Sequence, residues 1–247
     1  MFELTDVTKS FGSLCVLKPT SIRMEPGAST VLIGPSGCGK STLLRMLVGL
    51  LKPNGGTIHF SGEPLSAQTL PKQRLRMGYV IQDGGLFPHL TVSQNLSLMP
   101  KQLQWSQARI DQRIEELMDL TRLPKETRHR FPQQISGGQR QRVGIMRALI
   151  LDPDAILLDE PMGALDPMVR FELQEDLRQI FRTLKKTVVM VTHDLGEAEF
   201  FGDTICLLYD GKILQQGTLQ DMATHPASPY VTAFLKAQRV PRFEAAL

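Results

Sequence analysis

The segment from Gly34 to Ser41 constrains the fold of this 247-residue chain more than any other. It reads Gly-Pro-Ser-Gly-Cys-Gly-Lys-Ser and matches the pattern G-x-x-x-x-G-K-[ST], whose glycines let successive backbone N–H groups converge on phosphate oxygens. The apolar, β-rich run Ser29–Ile33 precedes the segment, and a helical pattern of leucines runs from Lys40 to Leu50. Strand, glycine loop and helix in this order predict a phosphate-binding loop, and argue against the alternative of a plain flexible turn.

Two side chains of this loop add charge and a metal ligand. Lys40 supplies a positive charge, the helix that starts there adds its positive end, and Ser41 offers a hydroxyl to Mg²⁺. The loop therefore predicts that the chain binds the phosphates of a nucleotide together with Mg²⁺.

Composition excludes several classes of protein. Lysine and arginine number 28 against 25 aspartate and glutamate, a net charge of +3 without long basic runs, so we expect no nucleic-acid partner. The longest uncharged stretch, Gly84–Pro100, holds two prolines and falls short of the ~20 apolar residues of a membrane span. Residues 1–9 lack the apolar core of a secretory signal. We therefore expect a cytoplasmic protein.

The three cysteines predict neither a disulfide nor a zinc site. Cys15, Cys38 and Cys206 are scattered and odd in number, which is typical of reduced thiols in the cytosol. Cys38 lies inside the glycine loop, where we interpret it as a small residue that fills space.

The pattern of apolar residues predicts an α/β fold. Helical periodicity is expected over Thr91–Leu123, Val169–Leu184 and Ser228–Ala237, and Asp210-Gly211 is a hairpin signal. The further predicted strands are Phe2–Thr8, Val16–Met24, Thr57–Phe60, Met77–Ile81, Ala155–Leu158 and Thr187–Thr192. The last two are short apolar runs that flank a helix, as expected of buried parallel strands.

Two carboxylates end one of these strands. Asp159 and Glu160 follow Ala155–Leu158 directly, which places both at the carboxyl edge of a sheet, where α/β proteins bind ligands. An acidic strand end by itself is usually a solvated terminus, but the glycine loop favours a hydrolytic role. Asp159 would bind Mg²⁺ through water, and Glu160 would polarise the water that attacks the γ-phosphate.

A second candidate anion site lies at Ile135–Gln139. Ser136 is a plausible N-cap of a helix over Arg140–Leu149, and Gly137 and Gly138 leave their backbone N–H groups accessible. An ordinary helix cap is the alternative. With this segment the sequence resembles the ATP-binding subunits of ABC transporters, in which an LSGGQ signature lies between the glycine loop and the acidic strand; here Ile135 replaces the leucine.

The resemblance covers essentially the whole chain and implies its organisation. The expected fold is a P-loop NTPase core with an N-terminal antiparallel β subdomain and a helical subdomain. The core would span about residues 1–85 and 150–222, the helical subdomain about 86–149, and a C-terminal helical tail about 223–247.

The resemblance also implies roles for residues that the pattern alone does not assign. Phe11 would stack on adenine, Gln82 would be the Q-loop ligand, and His193 would contact the γ-phosphate; a core aromatic, a loop amide and a buried strand-end histidine are the alternatives. Asp166 would belong to the D-loop, Gly163–Asp166. The residues predicted to bind ATP are Phe11, Gly34, Pro35, Ser36, Gly37, Cys38, Gly39, Lys40, Ser41 and Thr42.

The remaining roles implied by the resemblance concern catalysis and a partner site. Glu160, His193 and Gln82 would be catalytic, and Ser41, Gln82 and Asp159 would bind Mg²⁺. The signature residues that would face a partner's ATP are Ser136, Gly137, Gly138 and Gln139.

Partners and location follow from the same family. ATP would lie between the phosphate loop of one subunit and the signature of another, in a homodimer or a pseudo-symmetric pair. Separate transmembrane permease subunits would carry the cargo, a substrate-binding protein would act indirectly, and the chain would lie on the inner face of the cell membrane.

The cargo is indicated by the segments Tyr79–Val92 and Pro100–Ser106, which resemble those of osmoprotectant importers for glycine betaine, choline or carnitine. A contact loop without cargo information, and an importer for another small solute such as an amino acid, are alternatives. So is a non-transport ABC-type ATPase, which tandem cassettes or a long coiled-coil insertion would favour. A GTPase lacks support because no Asn-Lys-x-Asp motif occurs, and a small-molecule kinase would not need Ser136–Gln139 or His193.

Overall fold

The computed structural model describes residues 1–163 and 165–238, apart from the side chain of Asp83. The described chain forms two compact units: residues 1–73 together with residues 187–238, and residues 74–186. The subdomain bounds expected from the resemblance stay a prediction. Of the predicted tail, residues 239–247 lie outside the described residues.

Helices and strands alternate along much of the chain, which confirms the predicted α/β fold. The strands are β1 (Phe2–Phe11), β2 (Leu14–Met24), β3 (Ser29–Ile33), β4 (Gly55–Phe60), β5 (Glu63–Pro64), β6 (Met77–Val80), β7 (Ala155–Asp159), β8 (Thr187–Val191), β9 (Thr204–Tyr209) and β10 (Lys212–Gly217). The helices are α1 (Lys40–Leu47), α2 (Leu70–Arg74), α3 (Val92–Gln102), α4 (Gln107–Leu120), α5 (Gly137–Leu149), α6 (Pro167–Leu184), α7 (Leu195–Phe201), α8 (Leu219–Thr224) and α9 (Pro229–Ala237).

One helix prediction needs correction. The helix expected to reach Leu50 ends at Leu47, because Gly49 adopts a φ of 68°, which leaves the helical conformation. The helical pattern expected from Thr91 to Leu123 is confirmed and comprises two helices, since Gln104 has a φ of 57° and Ser106 caps a new helix by accepting from Arg109 N. The short helices α2, α7 and α8 have too few residues for a periodic pattern to show in the sequence.

The first unit contains two sets of paired strands. One is antiparallel, in the order β2-β1-β4-β5. In the other, β3 lies between β8 and β9 and is parallel to both, while β10 pairs with β9 through the predicted hairpin. Leu32 is opposite Val191, so the carboxyl ends of β3 and β8 meet at one edge. This edge carries the phosphate loop and His193.

The second unit holds β6 and β7 as a parallel pair with Val80 opposite Leu158. Every residue of β7 is buried, as expected of a parallel strand covered on both faces. A β-carbon on Gly78 would stand 2.5 Å from the carbonyl oxygen of Ala148, so β6 touches α5 through its backbone. The shared carboxyl edge of β6 and β7 carries Gln82, Asp159 and Glu160.

Among the described helices, none has the length and apolarity that crossing a membrane requires.

Candidate nucleotide-binding site

The loop between β3 and α1 encloses the ammonium group of Lys40. This side chain is buried and donates to the carbonyl oxygens of Gly34 at 2.8 Å and Pro35 at 3.0 Å. Gly39 is the N-cap of α1 with a φ of 105°, and no side chain accepts a hydrogen bond at that cap. No capping side chain therefore competes with a phosphate at the N-terminus of α1, where the positive end of the helix dipole favours an anion.

Two glycines of this loop have no room for a side chain. A β-carbon on Gly34 would stand 2.1 Å from the carbonyl oxygen of Leu208, and one on Gly39 would stand 3.0 Å from that of Val16. The loop thus lies directly against the backbone of β9 and β2, and only glycine permits that approach.

Cys38 fills the space behind the loop. Its thiol is buried, 3.9 Å from Nζ of Lys40, and its sulfur would lie 3.0 Å from a β-carbon on Gly34. Burial raises the pKa of this thiol, although the nearby Lys40 opposes the shift. A neutral, buried thiol agrees with the interpretation of Cys38 as a packing residue.

His193 follows β8 at the same edge as the phosphate loop, and its exposed ring sits between two anchored neighbours. Thr192 Oγ1 donates to Glu197 Oε2 at 2.5 Å and accepts from the backbone N–H of Asp194 at 3.1 Å. Asp194 in turn caps α7 by accepting from Glu197 N at 3.0 Å. These bonds hold the backbone on both sides of the imidazole. The exposure excludes the alternative of a buried histidine.

Phe11 lies at the end of β1 with 48% of its surface exposed, which excludes the alternative of a core aromatic. The ammonium of Lys9 lies 5.0 Å from the ring centroid, within the range of a cation–π contact. An exposed aromatic face of this kind can stack on a base. The other predicted ATP-binding residues, Ser36, Gly37, Ser41 and Thr42, continue the loop and the first turn of α1.

Asp159 and Glu160 occupy different environments at the end of β7. Asp159 is buried, and the hydroxyl of Tyr79 on β6 donates to its Oδ2 at 3.4 Å. Glu160 is half-buried and has a φ of 47°, a left-handed conformation that costs of order 1–3 kcal/mol outside glycine. Gln82 begins a short 3₁₀ turn, Gln82–Gly85, after the neighbouring strand β6. The second unit thus brings Asp159 and Glu160 to the predicted edge of the sheet, and the structure adds Gln82 beside them at the end of β6.

The donors predicted for Mg²⁺ are a hydroxyl, an amide and one carboxylate, all oxygen ligands of the kind that Mg²⁺ prefers. Within residues 1–163 and 165–238, no group of three or more histidine, cysteine or acidic side chains could hold a metal by itself. This donor set fits an ion that keeps several waters and is shared with substrate phosphates.

The signature segment is capped as predicted. Ser136 Oγ accepts from Gln139 N at 3.2 Å, and Gln139 Oε1 accepts from Ser136 N at 3.0 Å, a reciprocal capping box at the start of α5. The cap uses Ser136 Oγ as an acceptor, and the hydroxyl hydrogen of this exposed residue can still be donated to a ligand.

The signature packs against the predicted D-loop within the second unit. A β-carbon on Gly137 would lie 3.6 Å from the side chain of Leu165, and one on Gly138 would lie 2.4 Å from Val169 Cγ1. Asp166 caps α6 by accepting from Val169 N at 3.1 Å. The lack of a side chain at Gly138 is therefore required for the close packing of α5 against α6, in addition to any role of this residue in binding a ligand.

Sequence reasoning missed two polar residues near these segments, the buried Asn95 and the half-buried Arg147. Asn95 on α3 organises the loop that follows the Gln82–Gly85 turn, and Arg147 on α5 donates to the carbonyls of Gly84 and Gly85. Neither belongs to a recognisable motif. Their periodic positions on helices give no signal that separates them from ordinary helix residues.

A strand, a glycine loop enclosing a lysine and a helix, together with an acid pair that ends a buried strand, define a P-loop nucleoside triphosphatase. A family model described as ABC transporter matches residues 17–163. The chain belongs to the ABC transporter family.

Curated relatives cover nearly all of the chain. It is 45% identical to the glycine betaine uptake system ATP-binding protein YehX of Escherichia coli K12, over 95% of this chain and 76% of that protein. It is 42% identical to the choline transport ATP-binding protein OpuBA of Bacillus subtilis and 40% to the osmoprotectant import ATP-binding protein OsmV of Salmonella typhimurium, in both cases over 97% of this chain. The chain spans only 63% and 64% of the length of these last two proteins.

Solved structures share the fold. The dimeric bacterial ABC transporter cassette MJ0796 has a TM-score of 0.80 and 33% identity, over 89% of this chain and 99% of that one. CbiO1 of Clostridium perfringens has a TM-score of 0.83 and 26% identity, over 99% and 97% of the two chains. These neighbours confirm the predicted fold class.

Proposed function

We propose that this chain hydrolyses ATP to drive the import of a quaternary-ammonium osmoprotectant through separate membrane subunits. The observation that carries the cargo is the agreement of three relatives at 40–45% identity, each named for glycine betaine, choline or osmoprotectant transport. The hydrolytic part rests on the phosphate loop and the acid pair at the end of β7.

The residues would divide the chemistry as follows. Lys40 and the N–H groups of the loop bind phosphate oxygens, and Phe11 stacks on the adenine. Ser41, Gln82 and Asp159 would hold Mg²⁺, which neutralises phosphate charge when bound. Glu160 orients a water and accepts its proton as the water attacks the γ-phosphate, and His193 contacts the γ-phosphate.

The signature residues would act on a second subunit. Ser136 lies exposed at the N-terminus of α5, so its hydroxyl and the N–H groups of Gly137 and Gly138 can meet the γ-phosphate of an ATP held by a partner. The partner is a second copy of this chain or a related subunit. The pair would lie on the inner face of the membrane against permease subunits, and a substrate-binding protein would deliver the cargo from the other side.

Replacement of the proposed base tests the hydrolytic mechanism. Glu160→Gln should retain ATP, abolish steady-state hydrolysis and trap the pair, because the amide still hydrogen-bonds water but accepts no proton. Glu172→Gln, on the exposed face of α6, is the matched control and should hydrolyse ATP normally. Hydrolysis by Glu160→Gln at the unmodified rate would remove Glu160 from this role.

Loss of the loop's charge tests the phosphate cradle separately. Lys40→Ala removes a buried ammonium that no neighbouring cation replaces within the loop, so nucleotide binding should weaken. Calorimetric titration with ATP measures the change. An unchanged affinity would contradict the assignment.

Uptake of labelled glycine betaine and choline by cells with and without the gene tests the cargo. We expect gene-dependent accumulation of at least one of the two. The second candidate is import of another small solute such as an amino acid, since a relative named for sulfate and thiosulfate import is 41% identical to the chain. Uptake of an amino acid without either amine would support it and overturn the osmoprotectant proposal.

A further inference from the structure

The turn that carries Gln82 is fastened to the helix that carries the signature. Arg147 on α5 donates through Nη1 to the carbonyl oxygen of Gly85 at 2.7 Å and through Nη2 to that of Gly84 at 3.0 Å. We call Gln82–Gly85 the Q-loop turn and α5 the signature helix. A planar guanidinium that binds two successive carbonyls fixes both the distance and the direction of the turn.

Backbone contact supports the same junction one helical turn earlier. A β-carbon on Gly144 would stand 2.9 Å from Cα of Gly84, and one on Gly84 would stand 3.0 Å from the carbonyl oxygen of Arg140. Gly84 and Gly85 have φ values of 73° and 57°, which favour glycine. The Q-loop turn and the signature helix therefore touch without intervening side chains, and a movement of one displaces the other.

Gly84, Gln141 and Gly144 are buried at this junction, which holds one polar group without a hydrogen-bond partner among the described residues. Burial lowers the pKa of Arg147, which nevertheless stays charged at physiological pH. Gln141 is 3% exposed and lies over Gly84, yet its Nε2 has no hydrogen-bond partner among the described residues. A buried donor without an acceptor is costly, so a second arrangement of the turn that offered it a carbonyl would gain a hydrogen bond.

The two ends of the junction serve different ATP molecules, if the proposed function holds. Gln82 is the first residue of the Q-loop turn and belongs to this chain's own ATP site. Ser136 begins the signature helix and faces the partner's ATP. Arg147 lies eleven positions after Ser136 along the helix, a rise of about 16 Å.

We propose that Arg147 is a positioning residue that couples the two ATP sites of the pair. It makes the Q-loop turn and the signature helix move together, so that ATP at Gln82 of one chain sets the position of Ser136 against the ATP of the other. Hydrolysis should consequently be cooperative in ATP concentration, and the cooperativity should depend on the Arg147 junction.

The test compares two arginines that each donate to two successive backbone carbonyls. Arg147→Met removes both donors and keeps an unbranched side chain. Arg113→Met is the matched control, because Arg113 also donates to two successive carbonyls, those of Leu149 at 3.0 Å and Ile150 at 3.3 Å, and these lie outside the Q-loop turn. Both variants should lose thermal stability. Only Arg147→Met should lower the Hill coefficient of ATP hydrolysis from near 2 toward 1.

A second variant separates coupling from folding. Gly144→Ala favours the helix intrinsically but presses a methyl group against Gly84, so the Hill coefficient should fall while the signature helix remains folded. Arg147→Lys, which can hold one carbonyl at a time, should restore part of the cooperativity lost in Arg147→Met.

A wild-type Hill coefficient of 1, or a wild-type value retained by both Arg147→Met and Gly144→Ala, overturns the coupling while leaving the ATPase proposal intact. If Arg147→Met does not fold, Gly144→Ala decides. A wild-type chain without ATP hydrolysis overturns the proposed function itself, and with it the coupling.

Discussion

The carbonyl oxygen of Leu208 stands 2.1 Å from the point where a β-carbon on Gly34 would lie. Gly34 begins the phosphate loop, and Leu208 lies near the end of β9, far along the chain. The backbone of β9 therefore lies directly behind the phosphate loop. The position of the loop depends on this contact as well as on its own glycines.

We expect Gly34→Ala to weaken ATP binding by roughly tenfold or more, equivalent to about 1.4 kcal/mol. The added methyl group cannot coexist with the carbonyl of Leu208, and the φ of 144° adds strain. Calorimetric titration with ATP measures the effect. Gly62→Ala is the control, since Gly62 also has a positive φ, 82°, but meets nothing within 4 Å. Equal ATP affinities of the two variants would show that the contact between Gly34 and β9 does not position the loop.

Ser136→Arg should prevent ATP-dependent pairing, because a long cation would occupy the place of the partner's γ-phosphate. Thr91→Arg is the matched control: Thr91 caps α3 with a glutamine three residues later, in the same reciprocal arrangement as Ser136 and Gln139. Each variant should lose about 1 kcal/mol of stability with its cap. In a Glu160→Gln background, size-exclusion chromatography with ATP should show pairs for Thr91→Arg alone. Pairs of Ser136→Arg would exclude the signature from the interface.

Alkylation by N-ethylmaleimide should modify Cys15 well before Cys38 and Cys206. Burial raises the pKa of the Cys38 thiol and raises that of Cys206 to about 12, so the reactive thiolate forms at neither site near neutral pH, whereas Cys15 is exposed. Intact-mass spectrometry over a time course at pH 8 would count the adducts. Rapid labelling of all three thiols in the native protein would contradict the burial of Cys38 and Cys206. As a control, all three thiols should react in urea.

The raised pKa values of Cys38 and Cys206 predict that the free energy of unfolding falls at alkaline pH. Their folded-state pKa values are raised, so the unfolded chain releases these protons first as the pH increases. The two protonated thiols contribute their full stabilisation of the folded state at pH values below the pKa of an unfolded cysteine. This stabilisation declines as the pH rises toward the raised pKa of the folded state. Urea midpoints for wild type and Cys206→Ala between pH 7 and 10 should converge as the pH rises. Parallel curves would assign the alkaline loss to other groups.

Asn95→Asp should destabilise the second unit by about 3 kcal/mol. Nδ2 of this buried side chain donates to the carbonyls of Phe87, Leu90 and Thr91 at 3.0–3.1 Å, and the substitution turns a carboxylate oxygen toward them. Urea denaturation measures the loss. Asn54→Asp is the control, because Oδ1 of the exposed Asn54 accepts from Ser10 N, and a carboxylate oxygen keeps that bond. A similar small effect for both would contradict the role of the three donated bonds.

Local chemistry explains what the sequence predicted correctly. The phosphate loop, the N-cap at Ser136 and the acid pair at Glu160 depend on residues a few positions apart, whose φ preferences and hydrogen bonds are written into the local order of residue types. The predicted strands are recognisable for the same reason, since burial in a parallel sheet demands continuous apolar runs. The error at α1 occurred where one residue interrupts a pattern, since Gly49 ends the helix early.

Residue types within short stretches predict a phosphate loop, an acidic strand end and a capped signature, and these were sufficient to predict the family and the fold. Only the folded chain shows which backbone lies behind Gly34, why Gly84 and Gly144 are both glycine, and that Arg147 binds a carbonyl 62 positions away along the chain. Such contacts depend on how strands and helices pack, and packing brings together residues whose separation in sequence carries no periodic signal.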